Sequence, residues 1–204
     1  MTRTIHPRDR MIVPILGDAG SASIVVPSAD GACGFLGFEL GTDGSGAKHL
    51  MIPASGFRQP RSAETAADIT DAEGNTRSAE NLYMNGAAIF HFAISTVPPT
   101  IQKLLGKLGM TLDDLDLVLF HQANQYMLDY LYKKLKIPAE KAFCHLENVG
   151  NTSGSTLPLV LTEAIRHGRV KPGAKVLLIG FGVGLSWAAT VFRADPQLIA
   201  EVAA

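Results

Sequence analysis

The chain has 204 residues, 47% of them apolar and 18% charged, with a formal net charge of −1. That length buries a core as one domain or two small ones, and the near-neutral balance excludes the broad basic field on which non-specific nucleic-acid binding relies. No apolar run nears the ~18 residues of a membrane span, the opening MTRTIHP has no apolar stretch of a secretory signal, and Cys33 and Cys144 make neither a CxxC motif nor a disulfide framework.

A cytoplasmic protein is therefore the expectation. Residues 11–27 (MIVPILGDAGSASIVVP) hold two apolar stretches around a turn-rich centre and read as strands, or as one strand entered through a tight turn. Gly34 to Leu40 reads as another short strand. Residues 41–80 are rich in Gly, Ser, Ala and Asp with little periodicity, so a long surface excursion is expected there. From Leu82 to Leu108 apolar residues fall at helical spacing (Ile89, Phe92, Val97, Ile101, Leu104, Leu105), with Pro98-Pro99 expected to break or kink the helix. Leu115 to Phe120 reads as a strongly apolar strand and Ala123 to Lys136 as an amphipathic helix. Phe143 to Leu146 reads as a short strand, Thr152 to His167 as a helix, Lys175 to Phe181 as a buried strand, and Ser186 to Arg193 as the last strand. Strands alternating with helices, the strands continuously apolar, imply a layered α/β fold. No linker or low-complexity tract divides residues 1–204.

One helix implies missing cover. In TSGSTLPLVLTEAI (152–165) positions 157, 159, 160, 161, 164 and 165 are apolar, which takes up most of the circumference. Such a helix is buried between layers, and this chain offers too few elements to enclose it on both sides.

Three polar stretches close apolar strands or open helices: HQAN (121–124), GNTSGST (150–156) and GFGVG (180–184). In layered α/β folds ligands gather at the C-terminal ends of strands, so these stretches form a site constellation. Each alone has a plainer explanation. A histidine after a strand is more often a hydrogen-bonded turn residue than a catalyst, and Asn151-Thr152-Ser153 is an ordinary helix-capping cluster. GFGVG is not GxGxxG, and GDAGSA lacks the Lys-Ser/Thr ending of a phosphate loop. The six histidines have no HxH or HxxxH spacing, so no metal site is indicated.

Taken together and in order, GDAGSA (17–22), LGTDGSGA (40–47), MNG…F (84–90), HQAN, GNTSGST and GFGVGLSW (180–187) make the chain from about Leu16 to Phe192 resemble β-ketoacyl-acyl-carrier-protein synthase III, a condensing enzyme of the thiolase superfamily. The resemblance is to its C-terminal half only. It implies the C-terminal half of a layered αβαβα fold, a mixed sheet flanked by helices with one helix buried between layers. In such enzymes a Cys accepts an acyl group from a thioester, and a carrier-bound malonyl group decarboxylates and attacks it. The resemblance makes His121 and Asn151 the catalytic His and Asn. An enolate oxygen needs preorganised hydrogen-bond donors in a water-poor pocket, and an imidazole N–H and an amide N–H supply two. It likewise places Phe181, Gly182, Val183 and Gly184 at the second oxyanion hole and the pocket, and Phe90 and Asn124 along the pantetheine arm.

The departures are informative. Val183 replaces the middle Gly of a GGG run and is expected to narrow the pocket, while Tyr126 replaces an Arg that docks the acidic carrier protein. Lys133 and Lys134 keep basic character further along that helix, which is equally well explained as a solvated face. The family's nucleophilic Cys lies in the N-terminal half. Cys33 precedes a strand rather than a helix, and Cys144 reads as a small core residue, so neither is expected to replace it. The expected partners are a Cys-bearing N-terminal half, an acyl carrier protein and acyl-coenzyme A. The assembled enzyme is expected to be a homo-oligomer, with no cofactor, nucleic acid or membrane. Two alternatives stay open: a non-catalytic partner of a complete synthase, or an acyltransferase to a hydroxyl or amine in which His121 is a general base.

Overall fold

The computed structural model describes residues 1–28 and 31–203; the remainder of 1–204 lies outside it. In chain order the strands and helices are β1 (Gly34–Thr42), β2 (Leu50–Met51), β3 (Ile69–Thr70), β4 (Thr76–Arg77), β5 (Tyr83–Met84), α1 (Gly86–Leu108), β6 (Leu117–Phe120), α2 (Gln125–Leu135), α3 (Leu146–Val149), α4 (Thr156–Arg166), β7 (Lys175–Gly182), β8 (Ser186–Arg193) and α5 (Pro196–Ala203). Among the described residues the main sheet has the order β1-β8-β7-β6, and two small antiparallel pairs, β2-β5 and β3-β4, stand apart from it. β6 and β7 run parallel, as a helical crossover through α2 to α4 requires. β7, β8 and β1 are antiparallel neighbours, so the sheet is mixed.

The alternation of side chains explains why the central strands read as continuously apolar. In β6, Val118 and Phe120 point toward α1 and α2, while Leu117 and Leu119 point toward α4 and α5. β7 repeats this, with Leu177, Ile179 and Phe181 on the α1 side and Val176 on the α4 side. A strand covered on both faces has no polar side to show. β1 differs because it is the edge strand. Its Glu39 is buried against α1 and paired with Lys103 and Lys107, whereas Phe38 and Leu40 on the opposite side are exposed.

Three expectations change. Residues 11–27 form no strand: residues 11–15 are turns, and Leu16 makes an isolated parallel bridge to Asn151. Ile24, Val25 and Val26 are exposed, so their apolar run has no sheet to enter. Residues 143–146 are also not a strand. The Tyr132 hydroxyl shares its one proton between the carbonyls of Val118 and Phe143, at 3.3 and 3.2 Å, and the segment's pairing is a single bridge from Ala142 to Val118 before α3 begins.

The third concerns α1, which runs unbroken through Pro98 and Pro99. Pro98 has no N–H to give the Ile94 carbonyl. Lys134 Nζ of α2 supplies the missing donor at 2.8 Å, so the proline defect becomes a tie between two helices. The helix starts at Gly86 rather than Leu82 because Tyr83 and Met84 pair with β2; Asn85 then caps it by accepting from Ala88 N at 3.0 Å.

α4 lies against the sheet and α5, with Val160, Ala164 and Ile165 buried. Leu157, Leu159 and Leu161 on its remaining circumference are only half-buried. The apolar ring read from the sequence is thus covered on one side by this chain.

Candidate active site at the strand ends

β6 ends at Phe120, and the chain continues the ladder for one more bond, His121 N donating to the Ile179 carbonyl at 2.8 Å. That bond fixes the His121 backbone at the rim of the sheet. Gln122 is buried and holds the turn, its Nε2 donating to the Phe120 carbonyl at 2.8 Å and its Oε1 accepting from His145 N at 3.0 Å. Phe181, near the end of β7, meets the His121 ring edge to face, with centroids 5.4 Å apart and planes at 87°. Burial of the imidazole pushes its pKa down to about 4, so the ring is neutral at neutral pH.

Asn151 reaches the same rim from another direction. Its backbone is clamped by the N-terminal segment, Asn151 N donating to the Ile15 carbonyl at 2.9 Å and Gly17 N donating to the Asn151 carbonyl at 3.0 Å. Its Oδ1 accepts from Ser153 N at 2.8 Å. With the oxygen committed there, the amide nitrogen turns the other way and has no protein acceptor among the described residues.

His121 and Asn151 line one trough of about 910 Å³, together with Thr156, Phe181, Gly182 and Val183. Its far wall is apolar, formed by Phe38 and Leu40 of β1 and by Trp187 and Ala188 of β8. Val183 is 63% exposed in the turn between β7 and β8, and its side chain stands on the trough wall. Gly184 completes that turn with φ 143°.

The remaining sequence candidates gather elsewhere. Phe90, Tyr126 and Tyr130 form an aromatic group on the outside of α1 and α2, with Phe90 5.4 Å from the Tyr126 ring and 5.3 Å from the Tyr130 ring. Asn124 caps α2, its Oδ1 accepting from Met127 N at 2.9 Å. Neither Phe90 nor Asn124 lines the trough. Lys133 and Lys134 are both exposed, and Lys134 Nζ donates to the Ile94 carbonyl at 2.8 Å. Cys33 contacts the Ala194 carbonyl through Sγ at 3.6 Å, and Cys144 contacts Gln125 Oε1 at 3.4 Å; burial raises the Cys144 thiol, and neither cysteine lines the trough.

Sequence reasoning missed two contributors. Thr156 touches His121 Nδ1 at 2.6 Å, although its place in GNTSGST offered only a helix-start signal. Gly17 holds Asn151, and the strand reading of residues 11–27 hid it.

Residues 105–194 match the family model for the C terminal of 3-oxoacyl-[acyl-carrier-protein (ACP)] synthase III. A β-ketoacyl-[acyl-carrier-protein] synthase III of Rhodopirellula baltica is 37% identical over 210 residues, covering 95% of this chain and 58% of that protein. One from Symbiobacterium thermophilum is 35% identical over 193 residues, covering 95% of this chain and 56% of that protein. A 2.1 Å crystal structure of a 3-oxoacyl-(acyl-carrier-protein) synthase III superposes with a TM-score of 0.85 at 38% identity, over 95% of this chain and 57% of the other. The enzyme of that name from Thermus thermophilus gives 0.79 at 33%, over 96% of this chain and 56% of the other. The chain therefore spans a little over half the length of the relatives it matches.

Proposed function

From the resemblance of this chain to the C-terminal half of β-ketoacyl-acyl-carrier-protein synthase III, we propose that it supplies the His and Asn of a decarboxylative condensing site. The observation that carries this reading is the meeting of His121 and Asn151 on one trough rim, each with a side-chain nitrogen that has no protein partner among the described residues. Decarboxylation of a malonyl thioester leaves negative charge on the thioester oxygen. Groups already aimed at that oxygen, in a site walled by Phe181 and Trp187, lower the barrier without reorganising. Asn151 Nδ2 is such a donor, and His121 is the second polar group on the rim. Backbone N–H groups of the 182–184 turn face the acyl carbonyl. Val183 stands at that end of the trough, where its side chain reshapes the pocket.

The nucleophile comes from a Cys-bearing N-terminal half seated over the trough, and the acyl substrates are thioesters of coenzyme A or an acyl carrier protein. The chemistry needs no cofactor. Tyr126, Lys133 and Lys134 form the carrier-docking surface, with the two lysines supplying its positive charge. Fatty acid or related biosynthesis is the corresponding role, and a homo-oligomer the corresponding assembly.

The test is reconstitution with a Cys-bearing N-terminal half, scored by carbon dioxide release and ketoacyl product from a malonyl-carrier donor. His121→Ala is expected to abolish product, and Asn151→Ala to reduce it by about 10²-fold or more. Unchanged condensation in His121→Ala would make this chain a non-catalytic partner and sink the assignment.

A further inference from the structure

Thr156 opens α4 directly beneath His121 and is 3% exposed. Its hydroxyl oxygen lies 2.6 Å from His121 Nδ1 and 2.9 Å from the Ser153 carbonyl oxygen. A threonine hydroxyl has one proton and two lone pairs, and a carbonyl oxygen can only accept. Both contacts are hydrogen bonds only if the hydroxyl donates to Ser153 and the ring donates from Nδ1. Turning the hydroxyl proton onto Nδ1 keeps one bond and gives up the other. One net hydrogen bond in a buried site corresponds to an excess on the order of tenfold for the two-bond arrangement.

The structure assigns Thr156 as the positioning residue that holds the single proton of neutral His121 on Nδ1, leaving Nε2 as an unprotonated acceptor that opens on the trough. Nε2 has no protein partner among the described residues and is not sealed from the trough. Burial keeps the ring neutral, so a second proton does not mask the choice.

This inference rests on the reading of His121 as the residue facing the reacting group, and it alters that residue's part. In its resting form the ring cannot donate to an enolate oxygen; Asn151 is the standing donor. His121 is instead set to take a proton at Nε2 from an incoming thiol, hydroxyl or amine. The X–H bond breaks as Nε2–H forms, and X attacks the acyl carbonyl. The proton then passes from Nε2 to the departing thiolate as the C–S bond of the thioester breaks, which restores the neutral ring. A His121 that has gained this proton can donate to an oxyanion during the step, so donor and base roles follow one another.

The test reads the ring directly and needs no catalysis, so it can fail while the condensation assay succeeds, and the reverse. Long-range proton–nitrogen correlation spectra of the ¹⁵N-labelled full chain at neutral pH, with His121 assigned from H121N, report which ring nitrogen is protonated. Wild type and Thr156→Ser are expected to show protonated Nδ1 and bare Nε2. Thr156→Val removes the hydroxyl and is expected to shift the ratio toward Nε2–H by roughly tenfold. If Val perturbs the amide spectrum globally, Thr156→Ala removes the same hydroxyl and is judged by the same criterion. Protonated Nε2 in the wild type overturns the proposal, and so does an unchanged ratio once the hydroxyl is gone.

Discussion

Gly17 has no room for a side chain, since a Cβ there would lie 2.1 Å from the Val149 carbonyl oxygen. The close approach is what lets its N–H reach the Asn151 carbonyl. Gly17→Ala is expected to push the 149–151 turn away, costing about 1–3 kcal/mol by overpacking in urea unfolding and lowering activity of the reconstituted site as Asn151 moves. His121 adds a pH dependence. Its folded pKa, near 4, lies below the ordinary 6.5, so between these values the unfolded chain binds the proton more readily. Its contribution is fully present above about 6.5 and is lost as pH falls toward 4. The loss is on the order of 1–3 kcal/mol, and urea midpoints measured across that range should flatten in His121→Gln.

At the scale of elements, the Pro98-Pro99 step and α2 are joined in one device. The carbonyl that Pro98 leaves without a helical donor is met by Lys134, which is therefore less free to bind a carrier than Lys133. Lys134→Met is expected to cost about 0.5–1.5 kcal/mol of stability, and Lys133→Met close to nothing. Reversing charge at Lys133 is expected to raise the KM for the carrier substrate more than it changes kcat. The same logic governs the edge strand β1. Glu39 is held by Lys103 and Lys107 of α1, which keeps its carboxyl below the usual range. That anchoring operates above the unfolded pKa of Glu39 and weakens as pH falls through the folded one.

The whole molecule has an unequal pair of faces. On the α1 side Leu104, Ile101 and Phe92 close over the sheet, whereas on the α4 side the sheet beyond α4 is open, with Phe38, Leu40 and the trough between. Leu40 is 70% exposed at the middle of an apolar wall. If the proposed N-terminal half seats there, Leu40→Lys leaves the fold of this chain unchanged by circular dichroism but weakens its association with that half by about 10-fold or more, the share of one buried leucine. Equal association of wild type and variant would place the contact elsewhere.

The sequence by itself determined the central sheet and its helices, because Leu115 to Phe120, Lys175 to Phe181 and Ser186 to Arg193 carry apolar patterns that only a doubly covered layer accommodates. It also marked HQAN, GNTSGST and GFGVG as polar stretches at strand ends or helix starts, and His121, Asn151, Phe181, Gly182 and Val183 from them line one trough. Tertiary structure decided what spacing does not encode. Residues 11–17 lend one bridge to Asn151 instead of entering a sheet, because their hydrogen-bond partner lies more than 130 residues away in the chain. Lys134 rescues a carbonyl on another helix, and Thr156 stands under a histidine that precedes it by 35 positions. Which nitrogen of His121 holds its proton is set by that last contact, for a ring has no preference strong enough to choose its tautomer without a neighbour to bind it.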